Sequence, residues 1–397
     1  MKQLFLQLRG GALVHRGRII DPRGQYVDRA IALSHRFKSL PEQQLVMKAY
    51  QLAWLGHQGQ IRKQGTPYIE HALATAETIA NWGGSAEEAA AALGHDLIEE
   101  GRINGRRVTA GLLRGRLGDR VAAIIDGVTE LGKSPGTVIK DPSLPNIWLH
   151  YLDRGRREPA VFKVKLADRL NNMQTLPYVS PFQQREKADE TLHIYCRIAD
   201  MLGMWPVKRQ LEDICFRYLE PEKHRLIYDV RQRTVNASLP EIRMISFRID
   251  SALKRAKIAV KMQMEKRAVY ELYKRAKGRE LADIAPSDVW RLCIKTISDD
   301  PRSCYDVLEV LHKLYPPVQP EYRDYIAAPR PDGQQFLRTV VDGPFCLPVQ
   351  IRDQAMTRAY ELGTVKNDFA WLDALRQALK AEGVGDRDLR RLFRQFT

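Results

Sequence analysis

Two short stretches of the chain place acids and imidazoles at spacings that suit hydrolysis at a metal ion. Ala90–Glu100 reads AAALGHDLIEE. Set on a helix, His95 and Asp96 lie about 100° apart and can lean toward one ion. Glu99 and Glu100 follow Asp96 at i+3 and i+4, one turn further along the same flank. An ion that acidifies water, with a carboxylate beside it to take the proton, is the apparatus of metal-assisted hydrolysis. Lys165–Leu176 reads KLADRLNNMQTL, and Asp168, Asn172 and Thr175 fall at i, i+4 and i+7 on one helix face. An acidic ligand followed by two neutral polar groups suits a metal beside a bound molecule. The stretch TPYIEHAL adds His71. Together His71, His95, Asp96 and Asp168 form a two-His, two-Asp set, which suits Mn, Fe or Zn better than Mg or Ca. Each piece alone also fits an ordinary helix face. Their weight comes from occurring together.

The elements that must position these residues are helices. From Ser39 to about Glu220 apolar residues recur at three- and four-residue spacing, as in AYQLAWLGH, HALATAETIANW and VFKVKLADRLNNMQTL. Turn signals such as NWGG separate them. Residues 1–40 have no clear period and are expected to be an N-terminal extension. Residues 241–280 are expected to continue as a long basic helical stretch. After about Ile284 the character changes: VWRLCIKTI, DYIAAP, FLRTVV and CLPVQI are short β-prone runs, and CYDVLEVLHKLY between them is helical. FAWLDALRQALKAEG near the end returns to helix. The expected fold class is therefore α+β. An all-α domain over 41–220 and a helical linker over 221–280 precede a smaller mixed α/β domain over 281–365 and a C-terminal helical segment over 366–397.

Hydrophobic residues at 44% and charged residues at 28% are those of a folded globular chain, which leaves out fibrous and disordered classes. The sequence has no apolar run long enough for a transmembrane helix, and MKQLFLQLRG is too short and polar for a secretory signal. Five dispersed cysteines without a CxxC pair point to a reducing cytoplasm rather than a disulfide framework. The net charge of +15 draws anions such as nucleotides or RNA.

Five blocks in order carry a resemblance: HQGQIRKQGTPYIEHAL, AAALGHDLIEE, LGDRVAAIIDGVTELGK, VKLADRLNNMQTL and ETLHIYCRIADMLGMWPVKRQLEDICFRYLEPE. Over residues 48–220 the chain resembles the HD hydrolase domain of the Rel/SpoT family of alarmone enzymes. The resemblance implies that His71, His95, Asp96 and Asp168 hold Mn²⁺ or another divalent ion. It implies that Glu99 helps activate the attacking water, that Arg62 and Lys63 meet the nucleotide, and that Asn172 and Thr175 line its pocket. Cationic side chains suit a ligand with two pyrophosphates, and a guanidinium can also stack on a base. Glu100 stands where the family usually has Asp, so the second catalytic carboxylate sits one methylene further out. Ala72 replaces a frequent Pro, and Asn171 a frequent His.

Residues 241–365 resemble a degenerate copy of the family's synthetase domain, through CYDVLEVLHKLYPP, YRDYIAAPRPDGQQFLRTVV and LPVQIRDQAM. Lys266 and Lys274 keep the spacing of two phosphate-facing cations. Met264 stands for Arg, Gln334 for a base-stacking Tyr and Arg338 for His, while Pro348 replaces a catalytic acid. The family's metal-binding Asp falls on Ser287 or Asp288. Phosphoryl transfer depends on placed metal and neutralised charge, so synthesis is expected to be lost. The expected function is hydrolysis of ppGpp and pppGpp to GDP or GTP and pyrophosphate, with a guanine alarmone as partner. Two other readings stand beside it: hydrolysis of a related nucleotide such as ppApp, and a non-catalytic regulator that binds alarmone or RNA. The second rests on ten Lys and Arg residues between Lys254 and Arg279. A homo-oligomer is open, and no membrane partner is expected.

Overall fold

The computed structural model describes residues 24–132, 158–330 and 333–363, the segments 7–9, 12–15 and 18–21, and positions 380 and 385–387. The helix expected over 366–397 falls almost wholly outside them. Two compact units divide the chain, one built on Met1–Pro181 and one on Phe182–Ala381.

The first unit opens with an antiparallel sheet of β1 (Gln7–Arg9), β2 (Ala12–His15) and β3 (Arg18–Asp21), in the stretch where the sequence shows no period. Helices α1 (Gln25–Ser34), α2 (Leu40–Gly56), α3 (Tyr68–Asn81), α4 (Ala86–Gly94) and α5 (Leu97–Glu100) follow. A hairpin of β4 (Arg102–Ile103) and β5 (Arg106–Arg107) precedes α6 (Ala110–Leu117), α7 (Asp119–Gly132) and α8 (Ala160–Gln174). Helix α4 is the centre. Ser85 and Glu88 close a capping box at its start, where backbone N–H groups otherwise lack partners. Its alanines Ala86, Ala89, Ala90, Ala91 and Ala92 are all buried, and their small side chains let α2, α3, α7 and α8 pack around it. The close approach continues between α7 and α8, where a Cβ on Gly127 would stand 2.7 Å from Val161 Cγ2.

The hairpin corrects the expectation of helix throughout Ser39–Glu220. Asn104 and Gly105 have φ of 53° and 78°, the left-handed pair that a two-residue hairpin turn requires. The Asn-Gly dipeptide was the available signal.

In the second unit α9 (Pro181–Glu190), a π-helical turn (Thr191–Tyr195), α10 (Cys196–Met201) and α11 (Trp205–Leu219) lead to the long α12 (Pro221–Arg255). The division of the chain at Pro181 thus falls inside the span 41–220 read from the sequence as one domain, because α11 packs on α12 and on α13 (Val269–Ala276). A mixed sheet has the order β6 (Val260–Lys266), β7 (Trp290–Thr296), β10 (Cys346–Arg352), β9 (Leu337–Asp342), β8 (Arg323–Asp324). Strands β7 and β10 run parallel, and the other neighbours run antiparallel. Short α14 (Pro286–Val289) precedes β7. Helices α15 (Arg302–Leu314) and α16 (Gln354–Leu362) pack against the central strands. One apolar core joins α12 to the sheet, with Ile245, Ile249, Leu292, Val307 and Val349 fully enclosed. Trp290 Nε1 donates to Ser238 Oγ at 2.8 Å and fixes β7 to α12.

The long basic helix expected over 241–280 is not continuous. Helix α12 ends at Arg255, and Val260–Lys266 is a strand whose Val260, Met262 and Met264 turn inward while Lys261 and Gln263 are exposed. That period of two was hidden by the high charge of the run. Among the described residues no helix is long and apolar enough to cross a membrane.

Candidate metal centre

The expected ligands come together in the first unit. His71 lies on the first turn of α3, and Asp168 lies mid-helix on α8. His95 and Asp96 are not on one continuous helix, which corrects the expectation drawn from their spacing. Helix α4 stops at Gly94, Asp96 leaves helical geometry at φ −98° and ψ 1°, and α5 restarts at Leu97. The break turns Asp96 back beside its neighbour.

His71 Nε2 and His95 Nε2 stand 3.2 Å apart. Asp168 Oδ1 lies 3.2 Å from His71 Nε2 and 3.5 Å from His95 Nε2. Asp96 Oδ2 lies 2.9 Å from His95 Nε2 and 3.8 Å from His71 Nε2. Both rings are oriented from behind. His95 Nδ1 donates to the Ala92 carbonyl at 2.8 Å, and His71 Nδ1 donates to Asn171 Oδ1. With both protons committed to Nδ1, the two ring lone pairs face carboxylate oxygens that cannot donate either. The ligand atoms of His71, His95 and Asp168 all lie within 4.8 Å of one another, and Asp96 approaches the two rings from beside them. Such a cluster calls for a cation. A divalent metal fits the donor chemistry, and the second bond on each imidazole is the support that metal-binding histidines use. Without a metal, a proton takes the place. Burial pulls the His95 imidazole down, but the Asp96 charge and the bonds to Asp168 and Asp96 outweigh it and push it up to about 10. Burial likewise disfavours the Asp168 carboxylate, yet Lys165, His71 and His95 hold it well below its usual range.

Residues the sequence reading missed complete the wall. Tyr68 donates its hydroxyl to Asp96 Oδ2, and its ring stacks on His57 with centroids 4.3 Å apart. Lys165 Nζ reaches Asp168 Oδ2 at 3.3 Å. Tyr68 stands three residues before His71 and Lys165 three before Asp168, so helical spacing alone could have linked them.

Of the remaining candidates, Arg62 donates to Asn172 Oδ1 at 2.6 Å and lies 5.5 Å from the Tyr68 ring centroid. Asn172 Nδ2 in turn donates to Asp168 Oδ1 at 2.6 Å, so Arg62, Asn172 and Asp168 form one chain. Lys63 is exposed beside Arg62. Thr175 closes α8, and its hydroxyl donates to the Asn172 carbonyl at 3.0 Å. Glu99 and Glu100 are exposed on α5. Burial first, then the Asp96 charge, raise the Glu100 carboxyl above its usual range.

The second unit holds a cavity of about 330 Å³ lined by Lys274, Gln334, Arg338, Pro348 and Arg352 among others. Arg352 is buried between two rings, its guanidinium carbon 4.7 Å from the Phe336 centroid and 4.1 Å from that of Tyr360. Pro348 brings no carboxylate to it. Asp288 is tied up by Arg279, at 3.1 and 3.0 Å, and also accepts from the Ala285 N–H.

Comparison with known proteins finds two families in succession along the chain, the first of which runs past the division at Pro181. Residues 49–205 match the family described as HD domain, and residues 254–368 match the region found in RelA / SpoT proteins. A guanosine-3′,5′-bis(diphosphate) 3′-pyrophosphohydrolase of Haemophilus influenzae is 34% identical over 77% of this chain and 44% of its own length. The bifunctional (p)ppGpp synthase/hydrolase SpoT of Escherichia coli is 32% identical over 82% of this chain and 46% of its own. A probable GTP pyrophosphokinase of Mycobacterium leprae is 32% identical over 84% of this chain and 41% of its own. The chain thus spans less than half the length of these curated relatives.

Proposed function

We propose that this chain, a RelA/SpoT relative that joins an HD domain to the RelA/SpoT region, removes the 3′-pyrophosphate from ppGpp and pppGpp to give GDP or GTP and pyrophosphate. The observation that carries this reading is the cluster of four inward-facing acceptors, His71, His95, Asp96 and Asp168. These four hold a divalent ion, and Mn²⁺ suits their mixed imidazole and carboxylate character. When bound, the ion acidifies a water and draws charge from a phosphoryl oxygen.

The chain's own residues do the rest. Asn171 and the Ala92 carbonyl fix the two rings, and Tyr68 holds Asp96. Glu99 and Glu100 take the proton from the attacking water. A Glu100 carboxyl raised above its usual range is a better proton acceptor than an ordinary surface glutamate. Arg62 and Lys63 offset the charge of the nucleotide, with Arg62 steadied by Asn172. Asn172 and Thr175 face the bound nucleoside. Five unpaired thiols fit a reducing cytoplasm.

We also propose that the second unit does not transfer pyrophosphate from ATP. Pro348 offers no catalytic acid, Gln334 no stacking ring, and the Asp288 carboxylate is already neutralised by Arg279.

The test is pyrophosphate release from ppGpp with and without Mn²⁺, beside Asp96→Ala. Metal-dependent release, reduced by at least about a thousandfold in the variant, is expected, since Asp96 is one of the residues that would hold the ion. No release with any divalent metal removes the hydrolase reading. Release from ppApp but not ppGpp moves it to adenine nucleotides. Incubation with ATP and GTP is expected to yield no pppGpp.

A further inference from the structure

The hairpin that follows Glu100 carries three arginines, Arg102, Arg106 and Arg107. All three are exposed, and their side chains have no hydrogen-bond or ion-pair partner among the described residues. Arg102 pairs directly with Arg107 across the two strands. The flanking pair Ile103↔Arg106 closes the turn, and Val108 N donates to the Gly101 carbonyl at 3.1 Å on the other side. Arg102 and Arg107 therefore occupy the non-hydrogen-bonded position, where facing side chains are closest. Their Cβ atoms there are about 5 Å apart. Like charges directly opposite each other weaken a hairpin, and no acid relieves this pair.

The hairpin is also held in place. Asn104 and Gly105 form a tight turn, and buried Val108 anchors its exit. At its entry Gln60 Nε2 donates to the Glu100 carbonyl at 2.9 Å, which ties the loop carrying Arg62 to the hairpin base. An unneutralised guanidinium pair thus projects two residues after Glu100, from a fixed support.

We propose that Arg102 and Arg107 bind the 5′-polyphosphate of a 3′-pyrophosphorylated nucleotide. The inference rests on the hydrolase reading above and deepens it. Such a nucleotide carries two anionic arms on one ribose. With the 3′ arm at the four-ligand cluster, the 5′ arm must find cations elsewhere. Facing guanidiniums meet phosphate oxygens bidentately, and an anion between them removes their mutual repulsion. The pair therefore senses the length of the 5′ arm, and the pentaphosphate form gains more from it than the tetraphosphate form.

Equilibrium binding to the full chain in EDTA, read by calorimetry for ppGpp and pppGpp, tests this without turnover. R102A/R107A is expected to weaken pppGpp binding about tenfold, the sum of two exposed charge contacts, and ppGpp binding less. R102K/R107K is expected to recover most of the loss. R116A removes an exposed, unpartnered arginine of α6 and serves as the control for net charge. Binding to R102A/R107A equal to that of the unaltered chain overturns the proposal, as does an equal loss in R116A or no binding to the unaltered chain. Arginine-dependent binding in EDTA, together with no pyrophosphate release in the metal-supplemented assay above, upholds the clamp and removes the hydrolase reading instead.

Discussion

Asn171 decides which nitrogen of His71 faces the rest of the His/Asp cluster, because its Oδ1 accepts the Nδ1 proton. Asn171→Ala frees the ring to turn and to take either tautomer. Mn²⁺ affinity, measured by calorimetric titration, is expected to fall about 10–100-fold with little change in thermal stability. An affinity equal to that of the unaltered chain would show that the ring is oriented by other means. That His71, His95 and Asp168 come together is legible in the sequence, because His and Asp advertise metal chemistry by type. Tyr68, Lys165 and the role of Asn171 are not. Each becomes significant only through a partner that the fold brings close, and in the sequence Asn171 stands out only as a departure from His.

At the scale of elements, Gly127 is where α7 and α8 touch. Gly127→Val would place a Cβ 2.7 Å from Val161 Cγ2 and force the helices apart. Overpacking of this kind destabilises by about 1–3 kcal/mol. Chemical denaturation of the first unit is expected to show that loss. Metal affinity should fall with it, because α8 carries Asp168. Helices with a clear 3.6-residue period were read well from the sequence, α3 and α8 among them. The failures have physical causes. The stop at His95–Asp96 follows directly on Gly94, but a lone glycine also occurs inside helices, and the apolar pattern runs straight through it. Strand β6 hid its alternation under lysines, and the β4–β5 hairpin is too short to show a period at all. The strand expected over DYIAAP survives only as Arg323–Asp324, the rest being turn.

At the scale of the molecule, the second unit carries an acid-sensitive ion-pair network of its own. Between β6, β7 and α13 the second unit pairs the half-buried Glu265 and Glu271 with the buried Arg267 and Arg291, at 2.8 Å for Glu265–Arg291 and 2.9 Å for Glu271–Arg267. Burial disfavours both carboxylates, but the arginines outweigh it and lower both below 4.5. A carboxyl lowered on folding adds stability that is present above its unfolded value and lost as pH falls through the folded one. The unfolding midpoint of the second unit should therefore hold above pH 4.5 and drop below it. Glu271→Gln should lower the midpoint at neutral pH and flatten the acid limb. A limb of unchanged shape would assign the acid response to other groups.

Glu88 does two jobs at once. It caps α4 through Ser85, and its Oε1 receives Lys163 Nζ of α8 at 3.2 Å. One carboxylate therefore pins together the starts of the two helices that deliver His95, Asp96 and Asp168. The grip on the ion is governed in part from a point that never meets it. A random-mutagenesis screen for chains that fold but bind a divalent metal weakly should return Glu88 and Lys163 alongside the residues of the His/Asp cluster. Inherited changes at such remote pins would pass as silent in any survey confined to the pocket.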